Sequence, residues 1–405
     1  MKLKALESVN LASKTILYRA PCDIDTKEVN GIFELTDDMR IQAMLPTIQY
    51  LLKQNCKIVI LAYVGRPDGK VVEALRTTPH GRRLSELLNH PVDKVDDCVG
   101  DIVDEKISKM RFGDILMLEN VRFYKEEMVD DDEFAKKLCK GKDLIVFDGF
   151  PQAMRKHAST IGIERHLPAV AGFYLMQEVN MLSNLLENPA RPFTVIIGGA
   201  KISDKVYAVN NLLKIADKVL VGGAVANVFL KAQGYKLGAS FIEDVFVDAK
   251  RREKKDWVVY AKGILEKYKD KIICPVDLVI SDGVSEKNID ISREGVPEKW
   301  MALDIGPKTQ KLFSDLIEKS GTVFLGGPMG KFENEKFAQG SKAILAAMRD
   351  NKGKTTIAGG DTIDLARKYG SLENYSNISL AGGATLEFLA GKELPALLPL
   401  IAEQK

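Results

Sequence analysis

Five arginines stand where apolar runs stop. Arg19 closes TILYR, Arg66 follows KIVILAYVG, Arg122 follows DILMLENV, Arg155 follows DLIVFDGFPQAM, and Arg40 opens an amphipathic stretch after LTDDM. The guanidinium is planar, permanently charged and forked, which suits phosphate and carboxylate. One such arginine reads as a surface or salt-bridging residue, but the set points to a small ligand with several negative charges. Later in the chain, apolar runs end in glycine pairs: Gly198–Gly199, Gly222–Gly223, Gly326–Gly327, Gly359–Gly360 and Gly382–Gly383. A glycine pair lets the backbone approach a phosphate closely, and the dipole of a following helix favours negative charge. None of these loops is GxxxxGK[ST], and none is GxGxxG with an acid at dinucleotide spacing, so neither a P-loop nor a nicotinamide site is indicated.

Two loops carry more chemistry. GGAKISDK places Lys201 and Lys205 four residues apart, which predicts a shared face on a helix after the loop. Two cations there oppose the helix dipole unless a polyphosphate lies between them. AGGDTID places Asp361 directly after a glycine pair. A carboxylate beside phosphate is repelled unless Mg²⁺ bridges the two; otherwise Asp361 is a plain helix cap. Glu333, in GGPMGKFENE, either accepts from ribose hydroxyls or is a surface acid.

Positioning these residues requires parallel sheets. Near-continuous apolar runs alternate with amphipathic stretches such as RIQAMLPTIQYLLKQ and DDEFAKKLCKG, the pattern of doubly wound α/β folds. In such folds ligands bind beyond the carboxyl ends of the strands. The long helical run GFYLMQEVNMLSNLLEN, framed by Pro168, Pro189 and Pro192, reads as a connector. The expected division is therefore a domain of residues 1–167 joined by the tail 392–405, a connector at 168–190, and a second domain at 191–391. One half offers guanidiniums and the other backbone N–H groups, and closure of the two across a cleft would suit phosphoryl transfer.

Composition agrees with this division. A chain of 405 residues is long enough for two or three domains, and a net charge of +2 gives no polyelectrolyte signal for nucleic acid. No apolar run approaches the roughly 20 residues of a membrane span, and the N-terminus is too polar for a signal segment. Five cysteines without a CxxC, and four histidines, give no zinc spacing and fit free thiols in a reducing cytoplasm.

The blocks TDDMRI, VGRPDGK, LENVRFYKEE, GGAKISDK, LDIGPKT, GGPMGKFE, GGDT and GGATLE resemble the phosphoglycerate kinase family in order and spacing over nearly the whole chain. The resemblance implies two Rossmann-like domains with a hinge, and reversible transfer between 1,3-bisphosphoglycerate and Mg-ADP to give 3-phosphoglycerate and Mg-ATP. It implies a cytoplasmic monomer acting on small molecules, with no nucleic acid or membrane partner. Arg66, Arg122 and Arg155 match the arginines on the non-transferring phosphate. Arg40 matches the arginine at the reacting carboxyl, with Asp23 and Tyr63 also on the substrate. Lys201 matches the lysine that steadies the transferred group, and Gly360 and Gly383 fall at catalytic positions. Gly199, Ala200, Lys205, Gly223, Gly327, Pro328, Glu333, Gly359, Asp361 and Thr362 fall at nucleotide positions, with Asp361 linked to the metal.

The family pattern breaks in places. The first strand usually ends R-x-D-x-N-x-P, whereas here Pro21 and Asp23 stand at the D and N positions. A two-residue slip would instead put Asp23 and Asp25 there, and Asp23 is the preferred ligand. Ala62–Tyr63 replaces the usual serine–histidine. Met154 replaces a histidine, Gly326 an asparagine, and Ala224 and Ala381 glycines. These departures leave two alternatives: a kinase of the same fold on another small carboxylate, or a non-catalytic nucleotide-binding paralogue.

Overall fold

The computed structural model describes residues 1–203, 205–243, 245–248 and 253–402. The chain forms two compact units, Met1–Met181 with the C-terminal segment that begins at Glu393, and Leu182–Lys392. The dividing line falls inside the helix Phe173–Glu187, the proline-framed run of the sequence. The tail returns to the first unit, where Lys4 N–H donates to Leu400 O at 2.7 Å and Ala396 N–H to Ala153 O at 3.1 Å.

The first unit holds strands β1 Thr15–Arg19, β2 Thr26–Val29, β3 Ile32–Leu35, β4 Lys57–Leu61, β5 Val92–Lys94, β6 Ile115–Met117, β7 Leu144–Phe147 and β8 Ala169–Ala171. Six of them form a parallel sheet in the order β5-β6-β4-β1-β7-β8. Residues of β1, β4 and β7 are buried almost without interruption, so both sheet faces are covered. The chain leaves β1 toward β4 and later returns on its other side with β7, which makes the carboxyl end of β1 a topological switch point. The antiparallel hairpin β2–β3 turns at Asn30–Gly31, both at positive φ, as a two-residue hairpin turn requires. It separates Asp23 from Arg40, which lies in the first turn of the helix Met39–Lys53.

The second unit holds β9 Phe193–Ile197, β10 Lys218–Val221, β11 Val245–Asp248, β12 Glu253–Asp256, β13 Ile272–Ile273, β14 Asp277–Ser281, β15 Glu286–Asp290, β16 Met301–Ile305, β17 Thr322–Gly326, β18 Lys354–Ala358 and β19 Asn377–Ser379. Its six-stranded parallel sheet runs β13-β10-β9-β17-β18-β19. The switch point lies at β9, between β10 and β17. A three-stranded antiparallel sheet β15-β14-β16 and the hairpin β11–β12 complete the unit.

Candidate active site

In the first unit the arginines separate into two roles. Arg66, Arg122 and Arg155 line one cavity of about 250 Å³ together with His157, Asp68 and Met128. Arg66 and Arg155 are exposed, and neither side chain has an ion-pair or hydrogen-bond partner among the described residues. Arg122 is buried. Its Nη1 donates to Gly65 O at 2.7 Å, while its Nε is buried without a partner. Three guanidiniums around one cavity, with Asp68 the only carboxylate among its lining residues, leave an excess of positive charge that an anionic ligand would neutralise.

Arg19 is different. It is fully buried, its Nε donates to Ser159 O at 2.9 Å, and its Nη1 donates to Ala20 O at 2.8 Å. Burial lowers its pKa, and the charge of Glu127 opposes that shift. Arg19 is therefore part of the floor and not a ligand, contrary to the expectation from the strand-end pattern. Glu127 lies beside it, accepting from Ser159 N–H at 2.8 Å and Ser159 Oγ–H at 2.7 Å. Burial would raise the Glu127 carboxyl, but His157, Arg19 and the Ser159 bonds outweigh it and hold the pKa below the ordinary carboxylate range. His157 Nδ1 lies 3.6 Å from Glu127 Oε1, beyond hydrogen-bonding distance.

Asp23 is half-buried, and its two carboxylate oxygens accept from Gly65 N–H at 2.9 Å and from the Tyr63 hydroxyl at 2.8 Å. Its carbonyl accepts from Arg40 Nη1. Asp25 is exposed, and its carbonyl accepts from Thr36. Of the two aspartates, Asp23 is the one gathered with Arg40 and Tyr63. Gly65 joins the two groups, since its N–H meets Asp23 while its C=O meets Arg122. Its φ of +60° is a left-handed conformation that glycine adopts without strain.

In the second unit three loops are tied backbone to backbone. Gly199 N–H donates to Pro328 O at 2.7 Å, Gly223 N–H to Met329 O at 2.8 Å, and Val225 N–H to Gly199 O at 3.2 Å. A Cβ on Gly198 would stand 2.0 Å from Pro328 O, and one on Gly223 would stand 2.8 Å from Gly199 N. Only glycine permits that approach. Gly359 caps the helix Gly360–Tyr369, and a Cβ on Gly360 would meet nothing within 4 Å. Gly383 opens the helix Gly383–Leu389.

Three glycine pairs open helices directly, but the pairs at 198–199 and 326–327 lead into loops. The helix after Gly199 begins only at Val206, with Lys205 as its cap. The expectation that Lys201 and Lys205 share a helix face is therefore corrected: both precede the helix. Lys205 Nζ donates to Gly198 O at 2.7 Å, which folds the loop back on the end of β9. Lys201 is exposed, and its side chain has no partner among the described residues. Thr362 is buried, and its Oγ1 accepts from Gly327 N–H at 2.8 Å, so it braces that loop.

Gly199, Ala200, Gly223, Pro328, Glu333 and Asp361 line a slot of about 330 Å³. Lys201, Lys205, Gly327, Gly359, Gly360, Thr362 and Gly383 are not among its lining residues. Much of the remaining wall is apolar: Phe241, Leu278, Met301, Leu303, Ile305 and Phe332. An apolar slot continuous with glycine loops suits a flat base joined to phosphates. The sequence reading missed this wall, because aliphatic residues on β14 and β16 carry the same signal as core. Asp304 also lines it, with Oδ2 accepting from Gly340 N–H at 2.8 Å, and burial pushes its pKa up to about 7.

A family model described as phosphoglycerate kinase matches residues 6–392. The solved structure of phosphoglycerate kinase from Coxiella burnetii is 34% identical and covers 98% of both chains, with a TM-score of 0.84. The crystal structure of phosphoglycerate kinase from Pyrococcus horikoshii OT3 matches with the same identity, coverage and TM-score. Two doubly wound units, one with a guanidinium cavity and one with glycine loops beside a base-sized slot, are the architecture of a two-domain α/β phosphotransferase. The chain belongs to the phosphoglycerate kinase family, whose reaction moves a phosphoryl group between a carboxylate and a nucleotide.

Proposed function

We propose that the protein interconverts 1,3-bisphosphoglycerate and Mg-ADP with 3-phosphoglycerate and Mg-ATP, the glycerate held in the first unit and the nucleotide in the second. The observation that carries this reading is the cavity of Arg66, Arg122 and Arg155, whose positive charge exceeds the negative charge of the one lining carboxylate, Asp68. The non-transferring phosphate sits there, where charge-assisted bonds from guanidinium are strong and can be bidentate. Asp23 accepts from the glycerate hydroxyl, and Arg40 meets the reacting carboxylate. The base enters the apolar slot and Glu333 takes the ribose. The phosphates lie along Gly199–Ala200, Gly223, Gly327–Pro328 and Gly359–Gly360.

Lys201 steadies the group in flight, with the N–H groups that open the helices at Gly360 and Gly383. Lys205 adds charge to the nucleotide phosphates while holding its loop closed on Gly198. No general base is needed, because the acceptor is already ionised. Positioning and positive charge do the remaining work. Transfer further requires that the glycerate and nucleotide ends be brought together.

The residues fit a magnesium ion. Asp361 is an exposed carboxylate in the first turn of a helix and lines the slot. No cluster of three metal-type side chains exists among the described residues. The Asp361 carboxylate beside the slot suits an ion that takes one or two protein carboxylates and completes its shell with phosphate oxygens and water. Bound there, Mg²⁺ would neutralise charge on the nucleotide phosphates.

All five thiols are free, which supports a reducing cytoplasm. No described helix is long and apolar enough to cross a membrane. On this reading the protein is a monomer that acts on small molecules, with no nucleic-acid partner. A coupled assay of 3-phosphoglycerate with Mg-ATP tests the reading. Turnover is expected, and its absence at millimolar substrate from folded protein would overturn it.

A further inference from the structure

Tyr63 stands where the resemblance expects a histidine, and donation to the ligand is the simplest role for its hydroxyl. The geometry gives that hydroxyl other work. Its single proton goes to Asp23 Oδ2 at 2.8 Å, and its oxygen accepts from Gln152 Nε2 at 2.5 Å. A phenol has one proton to give, so nothing remains to donate to a substrate. The residue is only 6% exposed, and burial followed by the Asp23 charge pushes its pKa up to about 12. The hydroxyl therefore stays a neutral donor to Asp23.

The ring is engaged as well. The Arg122 guanidinium carbon lies 3.6 Å from the ring centroid, and that of Arg19 lies 5.5 Å from it. Arg122 is one of the three guanidiniums of the cavity, and its Nη1 is held by a protein acceptor, Gly65 O. Its Nε is buried with no hydrogen-bond partner. The aromatic face is thus a main constraint on the plane of that guanidinium. Cation–π attraction is strongest when both partners are desolvated, as here. Gln152 is buried, with its Oε1 unpartnered. Its amide is tied to the Tyr63 hydroxyl through Nε2, so Gln152 serves to orient the phenol.

We propose that Tyr63, oriented by Gln152, is a positioning residue of the glycerate site: its ring seats Arg122 and its hydroxyl fixes Asp23. It joins the phosphate-binding and hydroxyl-binding groups without touching the ligand. This role rests on the proposed binding of 3-phosphoglycerate in the first unit.

The test measures 3-phosphoglycerate binding by calorimetry, and kcat and both KM values, for the wild type, Tyr63→Phe and Tyr63→Leu. Tyr63→Leu removes ring and hydroxyl, and weakens 3-phosphoglycerate binding about tenfold. Tyr63→Phe keeps the ring and weakens it only about threefold. KM for ATP is unchanged in both. Equal losses in the two variants would show the hydroxyl acting alone, and no loss in Tyr63→Leu would remove the role altogether; either result overturns the proposal. Should Tyr63→Leu not fold, Tyr63→Phe combined with Asp23→Asn decides. A hydroxyl acting through Asp23 adds little loss once Asp23 is replaced, whereas a hydroxyl on the ligand adds its full loss. Wild-type protein that binds no 3-phosphoglycerate would overturn the functional reading itself, a result separate from any pattern among the variants.

Discussion

The first unit presents its ligand with side chains, and the second presents its ligand largely with main chain. In the first, three arginines from separate segments surround a cavity, and one of them, Arg122, rests on the ring of Tyr63, which neighbours the buried group of Arg19, Glu127 and Ser159. In the second, glycines let three loops approach to hydrogen-bonding distance, and much of the wall of the adjoining slot is apolar. The difference stems from the ligands. A small polyanion with no apolar surface can be gripped only by charge. A nucleotide has a flat base to bury and a phosphate chain that oriented N–H groups can track. The two regions should therefore fail differently: the first to loss of charge, the second to gain of bulk.

Lys201 is the strongest challenge to that contrast, because it is a charge in the main-chain region. If it acts on the group in flight, Lys201→Ala lowers kcat about 10²–10³-fold and changes either KM little, as expected for a group that stabilises developing charge. Steady-state kinetics checks this. A rise in KM for ATP at constant kcat would make the lysine an ordinary phosphate anchor.

Much of this contrast was legible in the sequence, for a physical reason. Buried parallel strands are written as unbroken apolar runs, and the residues just past the end of a run lie at the ligand-binding edge. Arg66, Arg122, Arg155 and the glycine pairs stood out for that reason. Arg19 carried the same signal, yet it turns inward. Its partner Ser159 and the nearby Glu127 come from segments more than a hundred residues away, and no local spacing reports them. The lysine pair misled for a related reason. Four-residue spacing implies a helix face only if the helix has begun, and here the loop, tied back by the bond from Lys205 to Gly198, runs until Val206. The base slot was invisible because burying a base and burying a core use the same residues.

A smaller effect sharpens the main-chain side. Tyr369, at the far end of the helix that carries Asp361, has its hydroxyl 2.7 Å from Glu335 Oε2 and 3.1 Å from Phe332 O. It therefore steadies the loop bearing Phe332 and Glu333. Tyr369→Phe is expected to raise KM for ATP about threefold, a modest effect because the hydroxyl acts on the loop and not on the ligand, with KM for 3-phosphoglycerate unchanged.

A separate effect concerns stability and not catalysis. Burial raises the Asp304 carboxyl to about 7, against the pull of N–H groups from Gly340 and Ile305. The folded protein thus holds this proton more tightly than the unfolded chain. The resulting stabilisation is complete below the unfolded pKa near 4 and is lost as pH rises through about 7. Denaturant titrations should show wild-type stability falling relative to Asp304→Asn between pH 4 and 7 and running parallel above that. A difference independent of pH would place the carboxyl at an ordinary pKa.

The contrast between the units is tested most directly by measuring both Michaelis constants for Arg122→Ala and Gly223→Ala in one assay. Loss of a charge-assisted contact raises KM for 3-phosphoglycerate about 10–100-fold in Arg122→Ala and leaves KM for ATP unchanged. In Gly223→Ala, a residue at φ +58° acquires a Cβ 2.8 Å from Gly199 N. KM for ATP then rises about tenfold or more while that for 3-phosphoglycerate holds. Shifts shared by both substrates in both variants, or shifts with the substrates exchanged, would contradict a division of one ligand to each unit.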